Sequence, residues 1–278
     1  MAGKSLFSVT FWGVRGSIPT PGPDTLVYGG ETACIEVRID DKLVILDCGS
    51  GARGLGNHML KRGDKHADLL FSHLHLDHII GLPFFAPAFA AGMTITCYAG
   101  NLGGDGDQLR TVLERVMSPP VFPVALDVLQ ACTFQTFTAG EKVTVGSGIE
   151  VDTMMLNHPD GAIGYRFRSQ GRTLCIVTDH EHGNEEIDEN VLDFVKDADV
   201  MVYDATYTPE EYEHVIGWGH STWTECLRVA EKAHVKTPVL FHHEPYRTDE
   251  ELDRIAAEID RCHCGAIIAK QGMILEID

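Results

Sequence analysis

The chain has 278 residues, 44% of them hydrophobic and 23% charged, the balance of a globular protein long enough for a sizeable core. Against 41 Asp and Glu stand only 22 Lys and Arg, a formal charge of −19, and no basic run is present to neutralise a polynucleotide backbone. Polymeric nucleic acid is therefore not expected as a partner, whereas a small anionic substrate stays open, because bound cations can outweigh the global field.

In chain order, Met1-Ala2-Gly3-Lys4-Ser5 lacks the basic stretch and apolar core of a secretion signal. Short β-like runs follow at Phe7–Trp12, Cys34–Ile39 and Leu43–Leu46. Leu55, His58 and Met59 suggest a short helix before a strand at Leu69–Phe71. The uncharged run from Ile79 to Gly104 raises the question of a membrane span, but Pro83, Pro87 and several glycines argue against one. A second strand-rich block covers Thr133–Phe137, Val143–Val145, Ile149–Leu156, Ala162–Phe167 and Thr173–Val177. The last third alternates: strand Val200–Tyr203, helix from Thr222 to about His234, strand Val239–Phe241, helix Thr248 to Arg261. Thr222/Glu225 and Thr248/Glu251 have capping-box spacing. Strands with intervening helices in both halves predict two packed sheets with helices outside, in one domain over residues 1–278. Eight scattered cysteines without a disulfide-framework spacing read as reduced thiols of a cytoplasmic protein.

Five apolar runs end in His or Asp: Leu69–Phe71 leads through Ser72 to His73, Met154–Leu156 through Asn157 to His158, and Thr173–Val177 through Thr178 to Asp179. Val200–Tyr203 leads to Asp204 and Val239–Phe241 to His242. Strand ends are where a rigid scaffold presents chemistry, and five such endings are too many for chance solvation. The sharpest local signal is His73-Leu74-His75-Leu76-Asp77-His78. Past a strand, His73 and His75 point the same way and can share one metal, while Asp77 and His78 face a second. His158 would complete the first site, His242 the second, and Asp179 could bridge both. Imidazole with carboxylate suits zinc, and also manganese or iron. Two cations about 3.5–4 Å apart hold a hydroxide and clamp an ester or phosphoryl oxygen.

At these residues the sequence resembles the metallo-β-lactamase superfamily, with its HxHxDH loop followed by a lone His, a lone Asp and a late His. It is most similar to the phosphodiesterase branch, which includes ribonuclease Z and bacterial cyclic-phosphate diesterases. Three further motifs carry that: Gly13-Val14-Arg15-Gly16-Ser17-Ile18-Pro19-Thr20, Asp204-Ala205-Thr206-Tyr207 and Gly219-His220-Ser221-Thr222. The resemblance implies an αββα sandwich of two mixed β-sheets flanked by helices. It implies His73, His75, Asp77, His78, His158, Asp179 and His242 as metal ligands, Zn first, with Mn or Fe as alternatives. His242 is preferred to His243 because Pro245 and Asp249 keep the family spacing. It further implies that Asp77 orients or deprotonates the attacking water and that His220, paired with Asp204, assists the leaving group. The long basic tRNA-gripping arm of ribonuclease Z has no counterpart here. The expected reaction is hydrolysis of a small, cyclic or nucleotide-like phosphodiester by a metal-bridging hydroxide.

Carboxyl-ester, lactone, thioester or sulfate-ester hydrolysis is the alternative chemistry, and a non-catalytic metal-binding scaffold the alternative class. His180 and His182 flank Asp179, and Cys262-His263-Cys264 has ligand-type residues at a spacing too tight for common zinc motifs. Met117-Ser118-Pro119-Pro120-Val121-Phe122-Pro123 is open between a wall over the site and a subunit contact; a homodimer is an open expectation without a nameable interface.

Overall fold

A computed structural model describes residues 6–103, 106–146, 148–262 and 265–278. The first half runs β1 (Phe7–Gly13), β2 (Cys34–Ile39), β3 (Lys42–Leu46), α1 (Ala52–Arg62), β4 (His66–Phe71), α2 (Leu76–Ile79), β5 (Thr94–Ala99), α3 (Gly106–Val116) and β6 (Cys132–Thr136). The second half runs β7 (Lys142–Val145), β8 (Ile149–Leu156), β9 (Ala162–Ser169), β10 (Arg172–Val177), α4 (Glu185–Val195), β11 (Val200–Asp204), α5 (Pro209–Tyr212), α6 (Trp223–Lys232), β12 (Thr237–Phe241), α7 (Asp249–Cys262), β13 (Ile267–Ile268) and β14 (Ile274–Glu276).

Two seven-stranded sheets result, in the orders β14-β1-β2-β3-β4-β5-β6 and β13-β12-β11-β10-β9-β8-β7. Each is mixed: β3 to β6 pair in parallel in the first, β10 to β13 in the second, and the remaining neighbours are antiparallel. The central parallel strands are buried on both faces, which is why β4, β10, β11 and β12 read as unbroken apolar runs rather than alternating ones. One face of each sheet meets the other sheet, around Val9, Phe11, Val37, Val151, Phe167 and Phe241. Phe11 and Phe241 approach across that interface with ring centroids 5.9 Å apart. The outer face of the first sheet is covered by an apolar layer that includes Leu55 and Met59 of α1 and Leu109 and Leu113 of α3. Residues of α4, α6 and α7 contribute to the corresponding layer of the second.

The predicted sandwich is the observed one. Strand β5 was hidden in the uncharged run, where Pro83 and Pro87 cut the preceding chain into two short 3-10 turns. Among the described residues, no helix is long and apolar enough to cross a membrane. The box expected at Thr248 is complete: the Thr248 N–H donates to Glu251 Oε2 (2.8 Å), and the Glu251 N–H donates to Thr248 Oγ1 (3.2 Å). At Thr222 half of it forms, because the Glu225 carboxylate pairs with Arg228 (2.7 Å) instead of returning to the cap. His263 and Cys264 lie outside the described residues.

Candidate metal centre

Topology explains why distant strand ends meet. Strands β10, β11 and β12 are parallel, and β8 is separated from β10 by two antiparallel pairings, so all four end on one edge of the second sheet. Strands β3 and β4, also parallel, end together in the first. The two edges are tied at the junction: the Tyr165 hydroxyl donates to the Phe71 carbonyl (2.6 Å) and the Ile163 N–H to the Ser72 carbonyl (2.8 Å).

All seven expected ligands converge there. His73, His75 and His158 form one group and Asp77, His78 and His242 another, with the ligand atoms of each group within 4.8 Å of one another. Asp179 lies between, its Oδ1 3.2 Å from His242 Nε2, 3.3 Å from His78 Nε2 and 3.9 Å from His73 Nε2. Of the adjacent pair, His242 faces the cluster, whereas His243 is buried behind it and donates from Nε2 to the Ala269 carbonyl (2.8 Å). Burial lowers the His243 pKa to about 3.

The surrounding hydrogen bonds dictate which nitrogen of each imidazole carries the proton. His158 Nδ1 lies 2.8 Å from the Gly219 carbonyl and must donate to it. His78 Nδ1 donates to Asp47 Oδ2 (2.8 Å). The Ser72 hydroxyl spends its hydrogen on Asp47 (2.8 Å), so His73 Nδ1 is the donor in its 3.0 Å contact with Ser72. Thr206 likewise spends its hydrogen on an oxygen, either Asp204 Oδ1 or the His242 carbonyl (both 2.8 Å), so His242 Nδ1 donates to Thr206 (3.1 Å). In the neutral form, the one that binds a cation, each of the four imidazoles then offers an Nε2 lone pair. Three of these atoms, on His73, His78 and His242, are buried without any hydrogen-bond partner. Burying polar atoms unpaired is costly, and convergent lone pairs beside two carboxylates are the donor set of a cation site. The residues fit two divalent cations.

Electrostatics point the same way. Burial pushes Asp179 up, but His242, His78 and His73 outweigh it and hold the carboxyl well below its ordinary range. Burial pushes His78 down, and Asp179, Asp77 and Asp47 outweigh that to raise it. His73, with more imidazole than carboxylate around it, stays lowered by burial. The acidic groups thus attract positive charge into the cluster, which is the binding energy a cation would use.

Backbone geometry is specialised as well. Asp47, Asp179 and His242 all adopt left-handed φ values, 60°, 58° and 63°, turning the chain sharply as each strand ends. Gly16, in the glycine-rich opening loop, leaves room for His242: a Cβ there would lie 2.2 Å from the ring's Cε1. Its neighbour Ser17 donates its N–H to Asp77 Oδ2 (2.7 Å). Gly219 has φ +89°, and a Cβ on it would sit 2.1 Å from His158 Nδ1. Gly219→Ala is expected to displace His158, lowering unfolding free energy by roughly 1–3 kcal/mol, as overpacking does. Denaturant unfolding with metal analysis of the folded variant checks this, and wild-type stability with full cation content would refute it.

His220 and Asp204 also meet. His220 Nδ1 donates to Asp204 Oδ2 (2.8 Å), and Asp204 Oδ1 accepts from the Thr206 N–H (3.1 Å) and the Ser221 N–H (3.2 Å). Burial raises the Asp204 pKa, but contact with His220 outweighs it and the carboxyl is held below its usual value. The His220 ring stacks on His242 with centroids 4.7 Å apart.

Two supporting residues escaped the sequence reading. Asp47 ends β3 as the five noted residues end theirs, so the same pattern could have found it. Glu181 has no such signal. Its Oε1 accepts the Gly217 N–H (2.7 Å) and its Oε2 the Gly219 N–H (2.6 Å), fixing the loop that carries His220. His180 and His182 face away from the cluster: His180 Nδ1 accepts the Asn157 N–H (3.3 Å), and His182 stacks on Tyr212 (4.2 Å). Phe122 of the Pro-rich segment packs edge-on against Phe84 (5.9 Å).

Two mixed sheets between helices, with an imidazole–carboxylate cluster where their strand ends meet, define the metallo-β-lactamase fold class. The chain belongs to the β-lactamase superfamily: the family model described as "Beta-lactamase superfamily domain" matches residues 42–243. It is 24% identical to a protein named ribonuclease Z from Haloarcula marismortui, over 95% of each chain. Among solved structures it is similar to the metallo-β-lactamase fold protein YhfI from Bacillus subtilis (TM-score 0.73, 18% identity, covering 98% of this chain and 100% of that one). It is also similar to Zn(2+)-bound PqqB from Methylobacterium extorquens (TM-score 0.71, 15% identity, 97% and 100%).

Proposed function

We propose that the protein is a metal-dependent phosphodiester hydrolase acting on a small phosphodiester. The carrying observation is the set of buried, unpartnered imidazole Nε2 atoms beside Asp77 and Asp179, with the His220–Asp204 pair stacked against them. His73, His75 and His158 would hold one divalent cation, Asp77, His78 and His242 the other, and Asp179 would contact both; zinc suits this donor set best, with manganese or iron as alternatives. Cations bound there supply Lewis acidity toward phosphoryl oxygens and lower the pKa of water. The chain's own groups do the rest. Water oxygen bonds to phosphorus as the ester P–O bond breaks. Asp77, held by the Ser17 N–H, orients the water and takes its proton. His220, doubly protonated with its Nδ1–H held by Asp204, presents Nε2–H to the departing oxygen and gives it that proton.

A second reading is cleavage of an RNA chain, favoured by the ribonuclease Z relative that spans 95% of the sequence. The charge of −19 favours the small substrate. The test is hydrolysis of bis(p-nitrophenyl) phosphate by chelator-stripped protein reconstituted separately with zinc and manganese, alongside a precursor tRNA and a lactone. Metal-restored turnover of the diester with no tRNA cleavage is expected. Preference for the lactone by orders of magnitude, or cleavage of tRNA, would overturn the small-phosphodiester assignment.

A further inference from the structure

Beside His220 a cleft of about 560 Å³ opens to solvent. Its walls carry Ile18, Tyr207, Trp218 and Tyr246, and among the described residues Glu244 is its one acidic side chain and no Lys or Arg lines it. Trp218 is 62% and Tyr246 89% exposed, far more than large aromatic rings normally are when nothing covers them. Both rings nevertheless stand on backbone that is tied down. The Trp218 N–H donates to the Val215 carbonyl (3.1 Å), and its two flanking glycines donate to Glu181. The Tyr246 N–H donates to Glu244 Oε2 (2.7 Å), and the next residue's N–H to the Glu244 carbonyl (3.0 Å). Tyr207 continues the aromatic wall inward, its ring edge-on to His220 at 6.0 Å. Rings carried on backbone that is already fixed lose less entropy when something stacks on them than rings on a loose loop would.

Resting on the phosphodiesterase reading, we propose that this cleft is the specificity site for a flat heteroaromatic group, of nucleobase type, attached to the scissile phosphate. Position supplies the first argument, because His220 belongs to both the cleft and the polar cluster, so a group seated here is joined to an ester at the cluster. Charge supplies the second. With the acidic Glu244 and, among the described residues, no cationic Lys or Arg on the walls, the cleft disfavours a second phosphate, and an uncharged ring is what it accepts. The substrate is therefore a nucleoside monophosphate diester and not a polyphosphate. A slightly larger depression, about 580 Å³ between β8, β9 and α4, lies apart from the histidines and takes no part.

The experiment compares two strained cyclic diesters that differ in the ring, adenosine 2′,3′-cyclic phosphate and glycerol 1,2-cyclic phosphate, using metal-reconstituted protein. The ratio of their kcat/KM values is expected to favour the nucleoside in the wild type and to fall roughly 5- to 150-fold in Trp218→Ala, the range for loss of one base–aromatic stack. Trp218→Phe, which keeps a ring, is expected to retain most of the preference. Adenosine 5′-monophosphate titrated by calorimetry should bind more weakly to Trp218→Ala by a comparable factor. A wild-type ratio near one, or a ratio unchanged in both Trp218→Ala and Tyr246→Ala, would overturn the cleft assignment while leaving the hydrolase reading intact. Hydrolysis of neither diester, nor of bis(p-nitrophenyl) phosphate, would instead remove the reading on which it rests.

Discussion

His220→Ala is expected to lower turnover of diesters with alkoxide leaving groups by about 10²–10⁴-fold, the usual contribution of a positioned acid, while cation content stays at the wild-type value. With p-nitrophenolate as leaving group the loss should be small, because that anion departs without a proton. The asymmetry follows from the hydrogen bonds around Asp204. Its oxygens are occupied by His220 and the Thr206 and Ser221 N–H groups, with the Thr206 hydroxyl 2.8 Å away, so the carboxylate has little capacity left for anything but orienting the imidazole. Asp204→Asn should reproduce most of the defect, since an uncharged amide no longer favours the doubly protonated, positively charged imidazole that a proton donor at Nε2 requires. Parallel measurements of kcat for alkyl and nitrophenyl diesters, with metal analysis, decide the matter. Equal losses for both substrates would reduce His220 to a phosphate-positioning group. Loss of one cation would make it a ligand, since Asp179, Asp204, His220 and His242 also lie within ligand distance of one another.

Asp47→Ala is the second large effect. Asp47 is a fully buried carboxylate that accepts from His78 Nδ1, from the Ser72 hydroxyl and from the Ser72 N–H (2.7 Å). Through Ser72 it also sets the orientation of His73. One carboxylate therefore aims an imidazole from each of the two ligand groups. Removing such an outer partner costs about 10–100-fold in metal affinity, and support of two ligands puts the expectation at the upper end. Competition titration against a chromogenic chelator measures it directly. Asp47→Asn should recover part of the affinity, because the amide oxygen still accepts from His78. Unchanged affinity in the alanine variant would mean that packing alone aims the two rings.

Much of this architecture was legible from local patterns. The unbroken apolar runs of β4, β10, β11 and β12 announced strands covered on both faces, and the residue at the end of each run marked where chemistry would be displayed. The HxHxDH loop could be read because its residues interact locally: α2 is one turn, so neighbours in sequence are neighbours in the site. Other parts were invisible for a physical reason. Strand β14 is three residues long and is recognisable only as the edge partner of β1, 260-odd positions away. The capping box at Thr222 failed by half because Arg228, one turn along the helix, offered Glu225 a charge-assisted bond that the cap could not match.

By itself, the sequence determined most of the long strands, the helices α6 and α7, the two-sheet class and the list of polar residues that meet at the strand ends. Those rest on periodicity and on residue types, which are properties of short stretches. Only the tertiary structure decided that His242 faces inward while His243 is spent on Ala269, that Asp47 and Glu181 support the site, and that Trp218 and Tyr246 stand beside His220. Proton positions, ring orientations and cleft walls are set by partners dozens to hundreds of residues away. Strand order and sheet packing bring those partners together, and neither is written in the spacing of any one segment.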